Sequence, residues 1–271
     1  MKTRVISAAV LVPILLLIVL VAPVSAAAVI LGILLAIAAY ELLYRTGLVK
    51  QPRLVIYSSV MAFLISMWSY FEAVRAYFVL LLMAFFMLMM AEMMIDHIKV
   101  RFETVSMCFT GGVMIPYFLT ALIRILTMSV GRYVILIPFI VAFMNDAGAY
   151  FVGVRFGKHK LAPVVSPNKT IEGVLGGLAG AMIGMLLYAL ILDFPLKFEV
   201  NYLIALLYGL LGSAAGTFGD LCFSIIKRQT GIKDYGNLIP GHGGVLDRFD
   251  SLSMVAPLME ALLLLLPLVE M

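Results

Sequence analysis

Asp220, Lys227, Arg228, Lys233, Asp234, Asp247, Arg248 and Asp250 fall within one stretch of a chain that is 64% apolar and only 13% charged. Ionised groups in an apolar chain must be held by a partner, a cation or water, so charge gathered this tightly marks chemistry or transport. Ser213, Thr217, Asp220, Ser224 and Lys227 recur at i, i+4, i+7, i+11 and i+14, the spacing of a single helix face. Beyond them Gly231, Gly236, Pro240, Gly241, Gly243 and Gly244 break any helix. His242-Gly243-Gly244 lets the backbone approach a ligand closely, because glycine has no Cβ. Asp247 and Asp250, three residues apart, share a face if a helix begins near Val245.

Oxygen ligands with few histidines suit Mg²⁺, which takes one or two carboxylates plus substrate phosphates. Asp220 and Asp247 are the pair expected to hold such an ion, and whether a monovalent cation joins the divalent one is left open by the sequence. Lys227, Arg228, Lys233 and Arg248 surround the acids. Positive-inside charge explains any one of them, but phosphate with a divalent ion uses both signs at once. A carboxylate inside a span costs about 2.5–3.5 kcal/mol. Asp220 and Asp146 are therefore read as facing a cavity, a cation or a partner, with a structural polar contact as the alternative. Asp250 has its own alternative, as the N-cap of the last helix. His242 is read as a metal ligand, a base or a donor to phosphate, and its glycine neighbours favour the last.

A second polar loop places Ser166, Lys169 and Thr170 just before an apolar helix starting near Gly173. A helix N-terminus there would bind an anion, or Thr170 would simply cap it. Gly153 to Lys158 is not a phosphate loop. Its glycine spacing is one residue short, His159 replaces Ser or Thr, and no βαβ unit surrounds it.

The elements that must position these groups are membrane helices. Apolar runs at 5–22, 27–45, 54–71, 76–95, 104–126, 132–152, 173–192, 202–226 and 252–269 predict an all-α polytopic bundle of about nine transmembrane helices. The 104–126 run is interrupted by Gly111, Gly112 and Pro116, and the first run is expected to be retained as a helix rather than cleaved as a secretory signal. With a cytoplasmic N-terminus, 15 of the 19 Lys and Arg lie inside, leaving Arg75, Arg124, Arg132 and Lys197 outside. The loops 153–172 and 227–250 then face the cytoplasm. Residues 1–130 read as scaffold and 131–271 as the catalytic region. Gly176, Gly180 and Gly184 in the seventh span, and Gly212 and Gly216 in the eighth, predict close helix packing, within a protomer or across a homodimer. Cys108 and Cys222 are expected to be packing residues without a disulfide.

Ser224, Lys227-Arg228, Lys233-Asp234, His242-Gly243-Gly244, Asp247-Arg248 and Asp250 form one ordered run. That run resembles the phosphatidate cytidylyltransferase (CDP-diacylglycerol synthase) family. Gly219-Asp220-Leu221, Asp146-Ala147-Gly148-Ala149-Tyr150, Phe156 to Leu161, and Ser166-Pro167 with Lys169-Thr170 are similar too, so the resemblance covers about residues 140–260. Phe223 departs from it, standing where members of the family often carry glutamate, and Glu260 lies outside the pattern. The resemblance implies transfer of the cytidylyl group of CTP to phosphatidate in the cytoplasmic membrane, with Mg²⁺ and no nucleic-acid partner. It implies catalytic roles for Asp220, Lys227, Arg228, Asp247 and Arg248, with Asp220 and Asp247 on the metal. Asp146, Ser166, Lys169, Thr170, Ser224, Lys233, His242, Gly243, Gly244 and Asp250 would bind substrate, with Ser166, Lys169 and Thr170 on the nucleotide. The competing readings are a transporter for a phosphorylated anion and a CTP-dependent polyprenol kinase.

Overall fold

The computed structural model describes residues 2–239, 241 and 243–269, without the side chains of 2–8, 72 and 75. Along the chain come α1 (Lys2–Leu20), α2 (Val24–Tyr40) running into a π-turn at Glu41–Arg45, α3 (Pro52–Tyr70) and α4 (Phe78–Ile95). A broken helix follows: α5 (Phe102–Phe109), a π-turn at Thr110–Met114, α6 (Ile115–Leu119) and α7 (Ala121–Leu126). Then come α8 (Gly131–Val134), α9 (Leu136–Phe156), strands β1 (Lys160–Ala162) and β2 (Ser166–Thr170), α10 (Ile171–Asp193), α11 (Tyr202–Gln229), α12 (Leu246–Phe249) and α13 (Leu252–Leu265).

Among the described residues seven helices are long and apolar enough to cross a membrane, from Val24–Arg45 to Tyr202–Gln229. The chain is thus an α-helical polytopic membrane protein. The last of the nine expected runs falls short of spanning length, because Leu252–Leu265 is a shorter apolar helix. At 1.5 Å per residue the 14 residues of α13 cover only about 21 Å of a hydrocarbon core about 30 Å thick. The β1–β2 hairpin is a small exception to the all-α expectation, with Lys160 opposite Thr170 and Ala162 opposite Ser166.

The chain divides into two compact units. The first joins Met1–Thr127 to Gln229–Arg248, and the second joins Met128–Arg228 to Phe249–Met271. Residues 229–248 therefore group with the N-terminal spans, which the division at residue 130 does not anticipate.

In the first unit, Pro52 opens α3 at a position where its missing N–H is not needed. Leu43, Val49, Leu54, Val55, Met61, Ile65, Met89 and Cys108 form its buried core. Ser66, wholly buried, donates to the carbonyl of Ala28 at 2.7 Å and so ties α3 to α2. The interruption foreseen at Gly111 and Gly112 is the second π-turn, where a Cβ on Gly112 would stand 3.0 Å from the Ser58 Cα.

In the second unit, α9 and α10 pack backbone to backbone. A Cβ on Gly180 would meet the Met144 carbonyl oxygen at 2.6 Å, and one on Gly184 the Met144 side chain at 2.6 Å. A Cβ on Gly176 would overlap Val152. The glycine ladder of α10 is thus covered by α9. Gly212 and Gly216 of α11 face Val141 of α9 and Met259 and Val255 of α13. Both glycine faces are used within the chain, as small residues permit when helices approach closely. Cys108 and Cys222 are both free thiols, as expected.

Candidate functional site

In the second unit α11 runs unbroken from Tyr202 to Gln229, so its polar stripe is one physical face. Near the middle of that face Ser213, fully buried, donates to Oδ1 of Asn145 at 2.5 Å. A Cβ on Gly177 would come within 2.5 Å of the same oxygen, so Asn145 is a polar junction of α9, α10 and α11. Further along, Ser224 donates to Asp220 Oδ1 at 3.3 Å, and Lys169 Nζ lies 2.5 Å from Asp220 Oδ2.

Lys169 is brought there by the hairpin. Thr170 ends β2 and caps α10, its Oγ1 accepting the Gly173 N–H at 3.1 Å. Glu172 in the first turn accepts the N–H groups of Lys158 (3.1 Å) and His159 (3.2 Å), and meets His159 Nδ1 at 2.6 Å. Arg228 Nε donates to the Val165 carbonyl at 3.1 Å, so the end of α11 holds the turn of the hairpin. Of the two readings of 166–170, capping describes Thr170, whose hydroxyl is engaged. Lys169 instead reaches the acid on the facing helix, and Ser166 is half-buried on β2.

Asp250 belongs to the same unit. It accepts the Ser251 N–H at 2.8 Å, but the N-cap of α13 is Ser251, so the capping alternative is not realised. Burial and then the charge of Asp220 push its carboxyl up to about 7, with Asp146 adding to the rise. The Ser251 N–H and Lys227 act the other way. Asp146 and Asp220, with Lys227, therefore lie within electrostatic reach of Asp250. Asp146 itself is exposed and accepts from Asn145 Nδ2 at 3.4 Å.

Such an arrangement suits a cation that takes one or two carboxylates and completes its shell with water and phosphate oxygens. Among the described residues no three His, Cys, Asp or Glu side chains gather closely enough to hold a metal by themselves. Mg²⁺ does not require three.

In the first unit, the loop from Gly231 to Leu246 is organised by carboxylates. Asp247, 4% exposed, accepts the N–H groups of Tyr235 (2.8 Å) and Gly244 (3.0 Å) through Oδ2. Gly243 adopts φ +85°, and a Cβ there would press on the same oxygen, so glycine is required twice over. The expected pairing of Asp247 with Asp250 on a helix face does not occur, because α12 is one turn that ends at Phe249. Asp247 also falls in a different unit from Asp220. Lys233, Asp234 and Arg248 are exposed on the loop. His242 lies outside the described residues.

Two participants are not evident from sequence spacing. Asn145 reads only as the neighbour of Asp146. Glu41, 2% exposed, accepts the N–H groups of Val245 (3.2 Å) and Leu246 (2.9 Å). Its one signal is a lone acid at the end of an apolar run. With Arg45 four residues on, it passes for an ordinary helix-end pair.

The family model described as the cytidylyltransferase family matches residues 2–266, so the similarity extends well beyond 140–260. Phosphatidate cytidylyltransferases of Staphylococcus aureus (strain COL) and Staphylococcus haemolyticus (strain JCSC1435) are 40% and 41% identical to this chain over 138 residues. That stretch is 51% of this chain and 52% of each relative, so the chain spans about half the length of the curated relatives it matches.

Proposed function

The chain belongs to the cytidylyltransferase family, and from that premise we propose that it transfers the cytidylyl group of CTP to phosphatidate, giving CDP-diacylglycerol and pyrophosphate. The names of the staphylococcal relatives support the choice of lipid substrate. The observation that carries the reading is the cluster in the second unit. There Asp220 and Lys169 meet at 2.5 Å, and Asp220, Lys227 and Asp146 each act on the charge of Asp250.

In the proposed reaction a phosphate oxygen of phosphatidate attacks the α-phosphorus of CTP. A new P–O bond forms, and the bond from that phosphorus to the oxygen bridging the α- and β-phosphates breaks. Pyrophosphate leaves with the electron pair. The attacking oxygen is already anionic, so no side chain has to remove a proton. The protein's share is positioning and charge stabilisation. Asp220 and Asp250, whose charges interact, would hold Mg²⁺, which when bound would supply positive charge to the phosphate oxygens. Lys169 and Lys227 bring positive charge to the same cluster. Arg228 is held against the hairpin. In the first unit, taken by itself, Lys233 and Arg248 expose positive charge of a kind that suits phosphate. We place the site at the cytoplasmic face of the cytoplasmic membrane, where CTP arrives from water and the lipid from the leaflet.

The test uses purified protein in detergent with phosphatidate, Mg²⁺ and CTP labelled at the α-phosphorus. Label should enter the lipid phase and fail to do so with Asp220→Asn. Lipid labelled only from γ-labelled CTP would replace this reading with a lipid kinase, and no labelling from either would overturn it.

A further inference from the structure

Residues 1–130 read as scaffold, yet one of their side chains grips the loop that carries Asp247 and Arg248. Glu41 follows α2 in the π-turn Glu41–Arg45, and such turns often mark functional positions in helices. Its carboxylate is 2% exposed, with Oε2 on the Leu246 N–H at 2.9 Å and Oε1 on the Val245 N–H at 3.2 Å. The loop closes over it at two glycines. A Cβ on Gly244 would stand 2.5 Å from both carboxylate oxygens, and one on Gly236 would overlap Oε1. Asp247 then ties the N–H groups of Tyr235 and Gly244. Two buried carboxylates thus hold four amides of one loop, and Arg248 rides on the single turn they set.

Burying a carboxylate in an apolar bundle is costly unless hydrogen bonds replace its water. Glu41 has such bonds only while the loop keeps this shape, so the charge enforces one backbone conformation. We propose that Glu41 is a positioning residue for cytidylyl transfer, holding 243–248 so that Arg248 is already set for a substrate phosphate. The inference rests on the cytidylyltransferase reading above, and its second readout is independent of activity.

Glu41→Gln keeps the shape but turns one acceptor oxygen into a donor facing an amide. Three quantities are measured on the full chain in detergent: kcat and KM for CTP, the Tm, and hydrogen exchange of the amides from 235 to 248. The expected result is a fall of about 10–100-fold in kcat/KM for CTP, with the KM for phosphatidate unchanged. Exchange should rise at Val245 and Leu246 but not in α3 or α4. Should Glu41→Gln fail to fold, Gly244→Ala pushes on the carboxylate from the loop side and should give the same pattern. Unchanged exchange and kcat/KM would overturn the proposal. So would an activity loss accounted for entirely by loss of folded protein. If the parent protein makes no CDP-diacylglycerol, the functional reading falls, and exchange still decides whether Glu41 holds the loop.

Discussion

Lys169 Nζ stands 2.5 Å from Asp220 Oδ2, joining the hairpin to the polar face of α11. Both side chains are about a quarter exposed, 24% and 29%, so the pair is open to water and to a substrate. Residues acting through one contact lose function non-additively. Asp220→Asn is expected to lower kcat/KM by about 100-fold or more and Lys169→Met by about 10–100-fold. The double variant should be no worse than Asp220→Asn. Additive losses in the radiolabel assay would show that the two side chains act separately.

Ser213 and Asn145 form the buried polar junction beneath that pair. Ser213→Ala leaves the Asn145 carbonyl oxygen without its donor, at a cost of about 1–3 kcal/mol. Gly177→Ala should lower the Tm further, because its Cβ would push Asn145 off α10. Thermal unfolding in detergent checks both, and a Ser213→Ala variant as stable as the parent would refute the junction.

Asp250 gives the fold a pH dependence with a definite sign. Its carboxyl rises from an ordinary 3.8 to about 7, so the folded chain holds this proton more tightly than the unfolded one. The stability it contributes is complete below 3.8 and is lost as pH rises toward 7. Without divalent ions, the Tm should fall across that window, and Asp250→Asn should flatten the fall. A Tm that climbs over the same range by the same amount in both proteins would contradict this.

Phe223 is 3% exposed and lies between Asp220 and Lys227 on α11. Phe223→Glu removes a buried ring and should lower the Tm. Glutamate four residues before Lys227 is the favourable order for a helical pair, and it restores the carboxylate that the family resemblance implies. CDP-diacylglycerol formation per folded molecule should therefore rise several-fold. Equal or lower specific activity would show that the ring serves this chain better than the acid.

The sequence by itself determined the features whose causes are local. Apolar run length specifies helices of membrane-crossing size, and α13 falls short of it. The 3.6-residue period places Ser213, Thr217, Asp220, Ser224 and Lys227 on one face of α11, and Gly111 and Gly112 mark the break between α5 and α6. Tertiary structure alone decided which residues meet. Lys169 finds Asp220 because a hairpin turns it toward α11, and the α10 glycines face α9, where the Met144 carbonyl and the Met144 and Val152 side chains fill the gap. Asp247 turns to two amides of its own loop, and Glu41 reaches residues 245 and 246 from the end of α2. Periodicity orients a side chain relative to its own helix axis. What stands opposite depends on chain returning from far along the sequence, which no local pattern encodes.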